Sequence, residues 1–312
     1  MAGTRRTAGA VVLAALALTA TACNNNDSAG KNAAPAAPST AAAAATTAAA
    51  PTTAAAPTTP PAKVSPAVFL EQVSKKTGAA KSAKVDELIT VGQVTMKGQG
   101  AMDWSDGLEA DLTMDLTGSP MAKVLAPLTG GPKVHYLYTK DAMFMGLGDQ
   151  LAQSTGQHWL RYDKAEMSKA SGGTTDQLQS ADPVQGVRTL IASGKVTEVG
   201  PETVNGKAAT HYSGELAAAD LVKASGLGVT QEQADRIKQN LDSSGVTSEQ
   251  IDVWVDADQL VVKRSEKADT KAGPMNIAVS YSDYGTPVLA STPGDFLTLP
   301  DLKKLADSES GS

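Results

Sequence analysis

The sequence predicts an α+β domain in which long antiparallel strands carry a few helices on one face. Three observations lead there. From Leu108 the pattern is strictly two-fold: Leu108, Ala110, Leu112, Met114 and Leu116 share one face, and Glu109, Asp111, Thr113, Asp115 and Thr117 the other. Side chains alternate across a strand, so this pattern means one apolar and one wetted face. Similar runs recur as far as Tyr281, and Asn205-Gly206 marks a turn between two of them. Helix starts stand among the strands, the clearest at Asp182-Pro183.

The first 23 residues read as an address. Arg5 and Arg6 give a positive start, Ala8 to Leu18 a short apolar run, and small residues lead into Cys23. A spanning helix needs about 20 apolar residues, so this run is a leader. Thr19-Ala20-Thr21-Ala22-Cys23 resembles a bacterial lipobox, with Ala20 where Leu is usual. By that resemblance Cys23 becomes the lipidated first residue of the mature protein, held at the outer face of the cell membrane. Ordinary secretion is expected, because Thr7-Ala8-Gly9 lacks the twin-arginine pattern. Residues 24–64 are almost all Ala, Thr and Pro after a polar start, which predicts a disordered tether. Roughly 40 flexible residues reach about 35 Å.

Residues 65–312 form the predicted domain. Ser65-Pro66 opens a helix with Phe69, Leu70 and Val73 on one side. Val85 to Val91 begins the sheet, and Val94 to Leu116 gives a hairpin around Ser105-Asp106-Gly107, where Asp-Gly supplies the turn. Pro120 to Pro132 is apolar but broken by Pro and Gly, and reads as a short helix or a flap. Strands follow at Lys133 to Tyr138, Ala142 to Leu147 and His158 to Arg161. Behind Asp182-Pro183, the residues Val184, Val187, Leu190 and Ile191 form an apolar stripe that Gly194 closes. A second hairpin runs from Lys195 to Leu216. Thr230 and Gln233 then make a capping-box pattern ahead of Ala234, Ile237 and Leu241. The last strands are Gln250 to Val255, Leu260 to Glu266 and Met275 to Tyr281.

Composition narrows the function. The formal charge is −6, and removing Arg5 and Arg6 with the leader makes it −8. An acidic protein without a basic patch argues against nucleic acid and against electrostatic docking on anionic lipid. Cys23 is the single cysteine, so the fold stands without an internal disulfide. His135, His158 and His211 each lack a second ligand at metal-binding spacing. No Gly-x-Ser-x-Gly elbow or phosphate-cradling loop occurs. Glu109, Asp111 and Asp115 read as a solvated strand face, and Asp256 and Asp258 as turn-shaping residues. No enzyme and no cofactor is expected.

Three stretches resemble the LppX/LprAFG type of actinobacterial lipoprotein, whose fold is similar to the LolA/LolB carriers. They are Asp182-Pro183 through Gly194, the hairpin from Val199-Gly200-Pro201 to His211-Tyr212, and Val253-Trp254-Val255-Asp256-Ala257-Asp258 with Tyr281-Ser282-Asp283-Tyr284-Gly285. With leader and tether, the likeness covers most of the chain. It implies a strongly curved antiparallel β half-barrel with helices packed on the concave face and an apolar cavity between them. The tether is longer than that layout requires, and Ser225 to Glu249 looks like an elaboration. The cavity candidates are Val187, Leu190 and Ile191 on the Asp182 helix, pointing toward Leu112, Met114 and Leu116. Methionines on these strands suit a wall that adapts to varied chains, and they fill ordinary cores too. The expected function is to carry or present a lipid, glycolipid or other amphiphile. A monomer is expected, with the membrane, a hydrophobic or acylated ligand and an envelope transporter as partners. The same strand face and helix also read as a filled core, which would make the domain a tethered non-catalytic interaction module. An envelope hydrolase would need a buried nucleophile and base in mutual contact.

Overall fold

The computed structural model describes residues 64–170, 181–220 and 231–310. The leader with Cys23, nearly all of the tether, and Thr230 of the capping pattern lie outside the described residues.

The apolar periodicity resolves into one open, curved sheet. Its strands are β1 (Ser82–Val91), β2 (Val94–Asp103), β3 (Glu109–Asp115), β4 (Lys133–Tyr138), β5 (Ala142–Gly146), β6 (Trp159–Asp163), β7 (Thr197–Val204), β8 (Lys207–Ala217), β9 (Ser248–Asp256), β10 (Val261–Thr270), β11 (Gly273–Ser282) and β12 (Phe296–Thr298). The order across the sheet is β12-β6-β5-β4-β3-β2-β1-β11-β10-β9-β8-β7. Neighbours in sequence pair as antiparallel meanders, and β1 joins the two halves through β11. The hairpin around Gly107 forms as expected, with Asp103 Oδ1 accepting from Ser105 N at 2.7 Å. Asn205 and Gly206 both take positive φ, which the β7–β8 turn needs. Asp256 Oδ1 accepts from Asp258 N and Leu260 N, each at 3.0 Å, so this aspartate does shape its turn.

Four elements depart from the expected layout. The chain does not finish at Tyr281: β12 returns beside β6 and pairs with it in parallel. This edge strand is three residues long, too short to show alternation. A terminal helix, α7 (Leu299–Ser310), follows it directly. The short helices α3 (Asp149–Thr155) and α4 (Lys164–Ala170) were not anticipated either.

The remaining helices are α1 (Pro66–Ala80), α2 (Met121–Thr129), α5 (Pro183–Ala192) and α6 (Gln231–Ser244). Ser65 caps α1 and Asp182 caps α5, where Asp182 Oδ1 accepts from Val184 N at 2.8 Å. Helix α1 packs on α5, and α5 lies on β8, β9 and β10. Thr77, buried in α1, is satisfied by accepting from Val261 N on the sheet below. Pro120 to Pro132 is settled as a helix, α2, lying against β4.

Candidate functional site

Pairing register brings the helix-facing side chains into rows. Gly98, Met114 and Val134 are mutual partners, as are Gly100, Leu112, Tyr136, Met145 and Leu160 along the next row. These rows divide between two apolar clusters. The first lies under α1 and α5 and includes Leu70, Val73, Met102, Leu112, Val187 and Leu190. The second is formed by Leu116, Val134, Met145, Leu160 and Leu297, roofed by α2 and flanked by α7.

The sequence candidates fall on both sides of this division. Val187, Leu190 and Leu112 belong to the first cluster, with Ile191 packed against it. Met114 and Leu116 belong to the second. Helix α5 therefore does not face Met114 and Leu116; it is seated on β8 to β10. Two glycines explain the seat. A Cβ on Gly214 would come within 2.7 Å of Leu190 Cδ1, and one on Gly186 within 2.8 Å of Arg264 Nε. Val187 and Leu190 are each 0% exposed, so no water-sized space touches them.

The second cluster is smaller and more thinly covered: partly buried side chains border the first cluster too, but here Met96, Met114, Met121, Leu125, Leu128, Tyr162 and other partly buried residues outnumber the buried ones. Met114 lies over the missing side chain of Gly98, where a Cβ would be 2.6 Å from its sulfur. The roof helix is fixed at its ends. Gly148 N donates to Leu128 O at 2.8 Å, and Met121 N donates to Ser119 Oγ at 3.2 Å. Burial pushes the Tyr136 hydroxyl up to about 12, with Tyr162 adding to the shift. Burial raises the Tyr162 hydroxyl too, so both phenols stay neutral at physiological pH at the edge of this cluster and can donate a hydrogen bond there.

Sequence reasoning missed a charged group in the interior. Arg264, 1% exposed, pairs with Glu266, while its Nε and Nη1 have no partner. Glu87, Glu249 and Asp182 also feel its charge. Burial raises each of these carboxyls above its ordinary value, and the Arg264 charge offsets part of that rise. Only the pairing register collects Arg264 with Val253 and Val279, so no local motif betrays it.

The outer face carries paired charges beside two small apolar clusters, one of Val204, Ala209, Trp254 and Val262 and one around Leu137, Ala142 and Phe144. His135 pairs with Asp111 at 2.6 Å, and His158 pairs with Asp295. His211 lies between Glu202 Oε1 (2.8 Å) and Asp252 Oδ1 (3.0 Å) and stacks on Trp254. Asp252 also accepts from Lys267 and Gln250. Burial alone would raise its carboxyl, but bonds from Lys267, Ser213, Gln250 and His211 hold it down at about 2. Two open grooves of about 520 and 480 Å3 lie on this face, lined by residues such as Asp86, Gln99 and Thr113. They are on the side opposite the two clusters covered by helices. Among the described residues, no grouping of three or more His, Cys, Asp or Glu could hold a metal ion.

No family model matches the chain. A Streptomyces griseus protein, described as an uncharacterized 31.2 kDa protein of the rplA–rplJ intergenic region, is 43% identical over 235 residues, 73% of this chain and 77% of that one. A Streptomyces coelicolor protein with a provisional lipoprotein name is 31% identical over 246 residues, covering 77% of this chain and 76% of the relative. Among solved structures, the Mycobacterium tuberculosis lipoprotein LppX is similar at a TM-score of 0.41 and 16% identity, over 73% of this chain and 100% of LppX.

Proposed function

We propose that this chain, which belongs to the family of the two Streptomyces relatives, is an amphiphile-binding lipoprotein of the cell envelope, of the LppX/LprAFG type that its motifs resemble. It is anchored through Cys23 at the outer face of the membrane, and its second apolar cluster takes up the acyl part of a lipid or glycolipid. The observation that carries this reading is the contrast between the clusters. In the first cluster fully buried residues such as Val187 and Leu190 outnumber the partly buried ones around them, whereas in the second the partly buried side chains, Met96, Met114, Met121, Leu125 and Leu128 among them, outnumber the buried ones. Unbranched thioethers adapt to guests of different shape. The role is non-catalytic: the ligand is carried or presented without bond making or breaking.

The test is mass spectrometry on organic extracts of the protein purified from its own host. A reproducible acylated species, absent when Met114→Trp fills the second cluster, supports uptake there. A clean extract from the unaltered protein refutes it. The sealed first cluster specifically favours a second reading, an interaction module whose core is complete without a ligand. That reading expects the clean extract.

A further inference from the structure

A half-buried carboxyl stands at the seam of the two helix-covered clusters, and among the described residues no side chain or backbone group donates to it. On β1, Val85, Glu87 and Ile89 face the helices, and Glu87 pairs across the sheet with Val279 on one side and Gly98 on the other. Val279 lies in the first cluster; Met114, next beyond Gly98, lies in the second. Glycine at 98 leaves no side chain between Glu87 and Met114. A Cβ there would lie 2.6 Å from Met114 Sδ and 3.2 Å from Glu87 Oε2, so carboxyl and thioether share the space above it. At Gly100, the next inward position, a Cβ would instead meet the β3 backbone at Asp111. The glycine at 100 is therefore explained by strand packing, whereas the one at 98 makes room for side-chain ends.

The neighbouring charges decide what this carboxyl can meet. Arg264 reaches it, but Arg264 is itself held by Glu266 and closed over by Gly186. Its charge offsets only part of the cost of burying Glu87, whose carboxyl stays above its ordinary value. A poorly hydrated acceptor without a donor is unfavourable until something donates to it. The polar ends that an amphiphile can bring differ here. A carboxylate or phosphate would be set against the Glu87 charge, and an ammonium would feel the Arg264 charge. A hydroxyl suits the carboxyl in both of its states, donating to it when ionised and accepting from it when protonated. We infer that Glu87 is the head-group contact of the second cluster: beside Met114 and above Gly98 it receives a hydroxyl of the bound amphiphile, and it turns anionic amphiphiles away. This rests on the proposed amphiphile-binding role and names a selection within it.

Competition against N-phenyl-1-naphthylamine, an uncharged dye that brightens in apolar sites, tests the selection on full-length Cys23→Ser protein stripped of lipid. The competitors share one chain length: dodecan-1-ol, methyl dodecanoate and dodecanoate, near neutral pH and below their micelle concentrations. Dodecan-1-ol should displace the dye at a concentration roughly 10-fold below either of the others, although the ester has more apolar surface to bury; that is the worth of one hydrogen bond to this group. Glu87→Gln keeps the shape and removes the charge, and should let dodecanoate bind roughly 10-fold better. Glu87→Leu should abolish the advantage of the alcohol over the methyl ester. Thermal melting checks that each variant is folded; if Glu87→Leu is not, the response of Glu87→Gln to dodecanoate decides. Dodecanoate binding as well as the alcohol in the parent overturns the inference, as does an alcohol preference that survives in folded Glu87→Leu or an unchanged dodecanoate affinity in Glu87→Gln. Displacement by all three alike keeps the amphiphile role and rejects the head-group contact. Failure of the dye and of every competitor to bind rejects the amphiphile role and the contact with it.

Discussion

Val187→Trp separates a sealed core from a ligand space. Val187 is 0% exposed, on a helix held down at Gly186 and Gly214, so the larger ring has nowhere to go without displacing α5. Overpacking a filled core costs about 1–3 kcal/mol. For a domain of 150–250 residues each kcal/mol lowers Tm by about 2–4 °C, so Val187→Trp should melt roughly 2–12 °C below the parent. Met114→Trp should behave differently. Met114 is only partly buried in the second cluster, so filling it should cost less than about 1 kcal/mol, below the overpacking range. Differential scanning calorimetry and urea titration read the stabilities, and lipid extraction reads the contents. An unchanged melting temperature in Val187→Trp, together with loss of the extracted lipid, would refute this division and return the ligand to the α5 side.

Other expectations follow from individual residues. Cys23→Ser should leave the fold intact and release the protein from membranes; a variant that still sediments with membranes and resists washing sinks the anchor. Residues 24–63 should be cut quickly by protease, leaving a stable fragment from about Val64, and protection equal to that of the sheet would count against a free tether. Asp252, held at about 2 against an ordinary 3.8, should stabilise the fold above about pH 4 and lose that contribution as pH falls toward 2. The shift corresponds to about 2 kcal/mol, so Asp252→Asn should flatten the acid limb of the stability profile; an unchanged limb would refute the role given to this carboxylate.

What the sequence revealed depends on how local each cause is. The period-two face of Leu108 to Leu116 and the caps at Ser65 and Asp182 are set by near neighbours, and they form as read. The seat of α5 is not local. It depends on Gly214 opposite Leu190 and Gly186 above Arg264, pairs that meet only after β8, β9 and β10 are in register. The stripe Val187, Leu190 and Ile191 therefore showed which helix face is buried without showing what it meets. His211 was legible as a strand histidine, but its position between Glu202 and Asp252 needs both the β7–β8 and β8–β9 registers.

Helix α2 shows the converse. Its apolar, proline-interrupted sequence left helix and flap open, because propensity alone does not settle a nine-residue segment. The deciding contact is distant: a Cβ on Gly148 would approach Gly130 N within 2.6 Å, so the close approach of these two backbones fixes the end of the helix. With its ends fixed and its middle resting on partly covered methionines, α2 is fastened without being sunk into the core. Under the proposed role, this is the fastening expected of a cover that admits a guest. The α1–α5 side meets the opposite requirement, since its buried guanidinium and surrounding carboxyls tolerate little exposure to a changing occupant. One sheet thus carries a deeply buried half and a thinly covered half, and under the proposed role the thinly covered half is the one that takes the amphiphile.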